Sequence, residues 1–158
     1  MPAQKFFLPI IIGFVMLLST GHCLAQESIK AEMLEEINKV RVSGCMCGDE
    51  KLPPAAKLAW SDQLEKAAAR HADDMFDHSH FDHVGTDGSD LGDRISGTGY
   101  VWGMVGENIS WGYTEVKDVV EGWISSPDHC KNMMSPVFKE MGVARKGEYW
   151  VLELAVGK

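Results

Sequence analysis

Positive charge is scarce in this sequence. It has 15 Lys and Arg against 23 Asp and Glu, for a formal net charge of −8. No basic patch interrupts the acidic character. Such a surface repels phosphate backbones, which argues against nucleic acid or an anionic membrane surface as a partner. Long apolar stretches are also missing. The only extended one, Phe6–Leu18, is shorter than the ~20 residues a bilayer-spanning helix needs. No unit recurs along the chain, so a single domain is expected. There is no Gly-rich phosphate loop and no βαβ rhythm, which excludes a doubly wound nucleotide-binding sheet. No G-x-S-x-G context is present, so no serine nucleophile is assigned.

What the N-terminus does contain is a short targeting pattern. Lys5 gives a positive start, Phe6–Leu18 is apolar apart from Pro9 and Gly13, and Cys23-Leu24-Ala25 offers small residues around a cut after Ala25. Residues 1–25 therefore read as a secretory signal peptide, and 26–158 as one exported domain. The expected location is periplasmic or extracellular, with no integral span after cleavage.

Cysteine is sparse and odd in number once Cys23 is removed. Cys45, Cys47 and Cys130 remain. Export permits a disulfide, and an odd count leaves a thiol over. Cys45 and Cys47 stand too close in sequence for a comfortable local bridge. The expected bond joins Cys130 to Cys47 or to Cys45.

The periodicity then gives the elements. Ile29, Met33, Ile37 and Val40 mark a helix from Ile29 to about Arg41, capped by Ser28. Gly48, Pro53 and Pro54 mark a loop. Ser61 caps a second helix from Asp62 to Phe76, whose Leu64, Ala67, Ala68, His71 and Met75 share one face. His78–Ser89 reads as a loop, and Ser89 as the cap of a short helix to Ile95. Gly106–Ile109 suggests a short strand. Thr114 precedes a helix over Glu115–Ser125, and Pro127 opens a compact loop or single turn. Met141–Arg145 and Tyr149–Val156 read as a hairpin about Gly147. Val151, Leu152, Leu154, Ala155 and Val156 need helical cover. The expected fold is α/β, a three-layer α-β-α sandwich on a mixed or antiparallel sheet.

The ordered pieces resemble the CAP superfamily, the SCP-domain group of cysteine-rich secretory, antigen 5 and pathogenesis-related proteins, in its small secreted bacterial form. The matching stretches include Ala68-Ala69-Arg70-His71-Ala72, Phe81-Asp82-His83, Gly106-Glu107-Asn108-Ile109, Ser126-Pro127-Asp128-His129 and Phe138-Lys139-Glu140-Met141-Gly142. The resemblance implies a cleft formed by His83, Glu107, His129 and Glu140. It implies zinc or another divalent cation on His83 and His129, with the glutamates close by. Two imidazoles suit zinc and leave positions for water or a small molecule or peptide.

Three functions follow. The first is binding of an ion or small ligand without turnover. The second is metal-assisted hydrolysis with Glu107 or Glu140 as base. The third is structural or interaction work at the cell envelope. Among the other histidines, His71 reads as a core histidine held by a hydrogen bond, away from the cleft. His78 and His80 read as parts of an exposed polar loop.

Overall fold

The computed structural model describes residues 17–158, with side chains from residue 28 onward. The expected signal peptide lies outside the described residues up to residue 16. The first helix, α1, spans Leu17–Ser43 and so begins well before the expected Ile29. No proline interrupts Leu17–Ser28, and Ser28 sits inside the helix rather than capping it. Met33 and Ile37 are fully buried. Near the end of α1 the buried Arg41 guanidinium donates to the carbonyls of Ala56, Met133 and Ser135. One cation thus saturates backbone acceptors from two later segments.

A hairpin follows where a loop was expected: β1 (Cys45–Cys47) pairs antiparallel with β2 (Glu50–Leu52). After β3 (Ala59–Trp60), α2 runs Asp62–His78 with Ser61 as its N-cap. The Ser61 hydroxyl accepts from the Leu64 N–H, and Asp62 and Glu65 sit in the first turn, where the helix dipole favours negative charge. The short α3 (Leu91–Ser96) is capped by Asp90 in a reciprocal capping box with Asp93, one residue past the expected Ser89.

The remaining elements are β4 (Trp102–Trp111), α4 (Val116–Ser125), α5 (Pro127–Met134), β5 (Glu140–Lys146) and β6 (Tyr149–Gly157). The segment expected as a compact loop at Pro127 is a helix with proline in its first turn, where its missing N–H costs nothing. The segment expected as a short strand at Gly106 is the long edge strand β4.

The four-stranded sheet has the order β3-β5-β6-β4. β3 runs parallel to β5, and the other pairs are antiparallel. The sheet is mixed, and helices cover both faces. One face packs Met141, Val143, Trp150, Leu152 and Leu154 against α1, α4 and α5. The opposite face packs Ala144, Val151 and Ala155 against α2 and α3. Each fully buried large aliphatic side chain contributes about 1.5–3 kcal/mol. On the α2 face the approach is very close. A Cβ on Gly142 would strike the backbone of Leu64 and Glu65, so α2 lies almost directly on β5.

Register places the chemistry. Glu107 on β4 stands opposite Glu153 on β6, which stands opposite Gly142 on β5. Glu140 stands opposite Ala155. The alternation of a strand therefore sends Glu107 and Glu153 to the α2 face and Asn108 to the α5 face.

Candidate functional site: a histidine–carboxylate cluster on the edge strand

The sequence forces an acid into the sheet at two neighbouring positions. Glu153 is fully buried and Glu107 nearly so. Two buried carboxylates side by side repel, and each needs compensation. Glu107 receives it in full. His83 Nδ1 donates to Oε1 at 2.6 Å, and Arg94 donates to Oε2 at 2.6 Å. Burial alone would push the Glu107 carboxyl up. The His83 hydrogen bond and the Arg94 charge outweigh burial and hold it below the ordinary range. Glu153 has no such partners: neither of its oxygens meets a donor. Burial, reinforced by the charge on Glu107, holds it well above the ordinary carboxylate range. The two neighbouring carboxyls are thus driven apart, Glu107 downwards and Glu153 upwards.

Arg94 is itself buried on α3. Its guanidinium also donates to the carbonyls of His83 and Ser89. The short helix therefore fixes the loop that carries His83. His71 reaches the same cluster from α2. Its Nε2 donates to the Asp82 carbonyl at 2.9 Å and lies 3.9 Å from Glu107 Oε2. Burial lowers its pKa despite the nearby Glu107 charge. The expectation of a hydrogen-bonded core histidine matches this placement. Fully buried, His71 reaches the Glu107 carboxylate from beneath, because α2 lies so close to the sheet.

His83 is the outward member. Its side chain is 55% exposed, and with Nδ1 donated to Glu107 its Nε2 is free to act as an acceptor or ligand. The hydrogen bond to Glu107 raises its pKa, against the effect of desolvation. His129 approaches from α5 on the other side of the edge strand. Burial lowers its pKa, and His83 lowers it further, so the two imidazoles lie within electrostatic reach. The backbone around His129 is pinned to β4. Asn108 Nδ2 donates to the His129 carbonyl, and Asn132 Nδ2 donates to the Glu107 carbonyl and to Asn108 Oδ1.

Glu140 is not brought to this group. Its carboxylate accepts a hydrogen bond from the Tyr100 hydroxyl. It sits two strands from Glu107 and displaced along the sheet, a separation of roughly 10 Å or more by sheet geometry. The structure thus brings together His83, Glu107 and His129 of the four expected residues. It adds Arg94, His71 and Glu153. Of these, Glu153 left a trace in the sequence: it is the one acid in the apolar run Trp150–Val156. His78, expected on the loop, is the last residue of α2 and pairs with Asp74 one turn back, while His80 lies beyond the helix and bonds to the Val84 carbonyl.

A second cluster lies beyond α5. Cys47 and Cys130 form a disulfide, and Cys45 is the free thiol. The three sulfurs lie within 4.8 Å of one another, an arrangement that can hold a metal ion when the thiols are reduced.

An α-β-α sandwich with a mixed sheet, an edge strand holding a buried carboxylate beside an exposed histidine, and a disulfide behind the neighbouring helix define the architecture. Residues 34–152 match the CAP, or cysteine-rich secretory protein, family, and the chain belongs to that family. It is 27% identical over 125 residues to the uncharacterized membrane protein YlbC of Bacillus subtilis, covering 79% of this chain and 34% of that protein. It is 31% identical over 103 residues to the uncharacterized protein YkwD of the same organism, covering 64% of this chain and 40% of that protein. The chain thus spans well under half the length of these relatives. Among solved structures, it resembles an SCP-domain extracellular protein of Bacillus anthracis with a TM-score of 0.73 at 23% identity, covering 84% of this chain and 41% of that one. An outer surface protein of Borrelia burgdorferi gives 0.71 at 19% identity, covering 84% of this chain and 96% of that one. These likenesses show the fold. Among the described residues, no helix is long and apolar enough to cross a membrane.

Proposed function

We propose that this chain is an exported CAP protein whose His83–His129 cleft binds a divalent cation, zinc by donor chemistry, and through it a small molecule or peptide. The observation that carries this reading is the 2.6 Å bond from His83 Nδ1 to Glu107, with Glu107 fixed in turn by Arg94. A carboxylate on one ring nitrogen sets the tautomer, orients the ring and raises the basicity of the other nitrogen. His129 supplies a second imidazole held towards its neutral, ligating form. The donor set fits zinc with two protein ligands, and such a site keeps positions open for water or an exogenous donor. Export is supported by the N-terminal pattern of residues 1–25 and by the Cys47–Cys130 disulfide.

Binding has more support here than hydrolysis. A general base needs a free oxygen facing the cleft. Both Glu107 oxygens are engaged, and Glu140 is held by Tyr100 in another part of the sheet. Calorimetric titration of the oxidised protein with zinc tests the reading. His83→Ala combined with His129→Ala abolishes uptake, and Glu107→Gln weakens it by about 10–100-fold. Equal uptake by the wild type and the double variant overturns it.

A further inference from the structure

We propose that Cys45 is the nucleophile of a thiol–disulfide exchange site, through which a low-molecular-weight thiol reaches the buried Cys47–Cys130 bond. The site is separate from the His83–His129 cleft, and the inference does not depend on it. Three observations meet there. The Cys45 sulfur lies 3.5 Å from that of Cys130 and 3.8 Å from that of Cys47. The two bonded sulfurs belong to residues 0% and 1% exposed, packed with Met134 among Val40, Leu52 and Ile124. Cys45 lines a cavity of about 490 Å³ whose walls also hold Glu36, Lys39, Lys117 and Glu121. The disulfide is shielded, whereas the third sulfur is both against it and open to a space that fits a small charged molecule.

The exchange balances without an oxidant. Cys45 gives its proton to solvent, and its thiolate attacks the Cys130 sulfur. The Cys45–Cys130 bond forms as the Cys47–Cys130 bond breaks. The electron pair leaves on the Cys47 sulfur, which takes a proton from solvent. Cys45 is nearly equidistant from the two sulfurs, so it stands beside the bond, and in-line attack requires its sulfur to swing about Cys130. Burial also raises the pKa of the Cys45 thiol, which keeps the resting exchange slow.

The new bond faces the cavity. A thiolate entering there attacks the Cys45 sulfur, forming a mixed disulfide and expelling the Cys130 thiolate. A second thiolate attacks the external sulfur of that mixed disulfide. It releases the small-molecule disulfide and restores the Cys45 thiol. Two small thiols are oxidised and one protein disulfide is reduced.

The test is the rate at which reduced glutathione opens the disulfide in the folded chain, read by alkylation and mass spectrometry. Cys45→Ser slows reduction at least about tenfold by removing the exposed intermediate. An unchanged rate overturns the proposal. Cys47→Ser forms a Cys45–Cys130 bond in air, and a folded variant that keeps both thiols free also overturns it. If that variant does not fold, alkylation of the unreduced wild type decides. Fragmentation of the tryptic peptide 42–51 finds label on Cys47 as well as Cys45 if exchange occurs, and on Cys45 alone if it does not.

Discussion

The two faces of the sheet solve opposite problems. The face under α1, α4 and α5 is an apolar seam of Met141, Val143, Trp150, Leu152 and Leu154. The face under α2 opens with the alanines and Gly142, which let the helix approach closely, and then buries His71, Arg94, Glu107 and Glu153 beside them. An apolar residue is stabilised by being removed from water. A buried ionised acid needs a specific partner. The first face can therefore be repacked with other side chains of similar volume. The second depends on individual atoms.

Substitutions that break this contrast differ in size. The largest effect is expected from Arg94→Ala. It leaves the buried Glu107 carboxylate with His83 alone and costs about 3–5 kcal/mol in urea unfolding. On the apolar face, Leu152→Ala leaves a cavity in the seam and costs about 2–5 kcal/mol by the same measurement, with no change in zinc affinity.

The next prediction sharpens the comparison through pH. The pKa of Glu153 is raised in the folded chain. The native state thus keeps a proton that the unfolded chain releases above the ordinary carboxylate range. Stability should decline as pH rises from that range towards the folded value. Glu107 is lowered, so its contribution is present above the ordinary range and is lost as pH falls through its folded value. Glu153→Gln replaces a neutral acid with a neutral amide. It should change stability at acidic pH by no more than about 1 kcal/mol and remove the decline on the alkaline side. Unfolding midpoints measured between about pH 4.5 and pH 8 check the sign. An unaltered slope in this variant would show that Glu153 is ionised in the fold. The smallest effect belongs to the exposed Arg70–Asp87 pair. Arg70→Ala should shift the midpoint by no more than the scatter of the measurement, because solvent already screens both charges.

The same contrast explains what could be read from the sequence. Helix α2 was legible because Leu64, Ala67, Ala68, His71 and Met75 recur on one face and Ser61 caps it. The β5–β6 hairpin was legible from an apolar run broken only by Glu153 and from Gly147. The hairpin of β1 and β2 was not, because strands of three residues, Cys-Met-Cys and Glu-Lys-Leu, are too short to show an alternation. The start of α1 was misplaced because a serine that can cap a helix can also lie inside one. In the site, His83, Glu107 and His129 were recognised through their motifs, and motifs give order along the chain. Distance depends on strand register, which set Glu140 two strands away. Register also decides that Arg94 is needed, since it buries the Glu107 carboxylate beside a second acid, Glu153, that offers it no positive charge.

Helix α5 places His129 and Cys130 at consecutive positions. Successive side chains on a helix diverge by about 100° and advance by only ~1.5 Å. The imidazole therefore turns towards the edge strand while the sulfur turns towards the hairpin, and a covalent anchor sits one residue behind a ligand candidate. Two turns of helix have little rigidity of their own in water. Clamped at mid-length to β1, they hold the ring at a fixed height above the sheet. The position of the His129 ring is thus set from both sides of the helix, by that bond behind it and by the Asn108 and Asn132 hydrogen bonds to β4 in front.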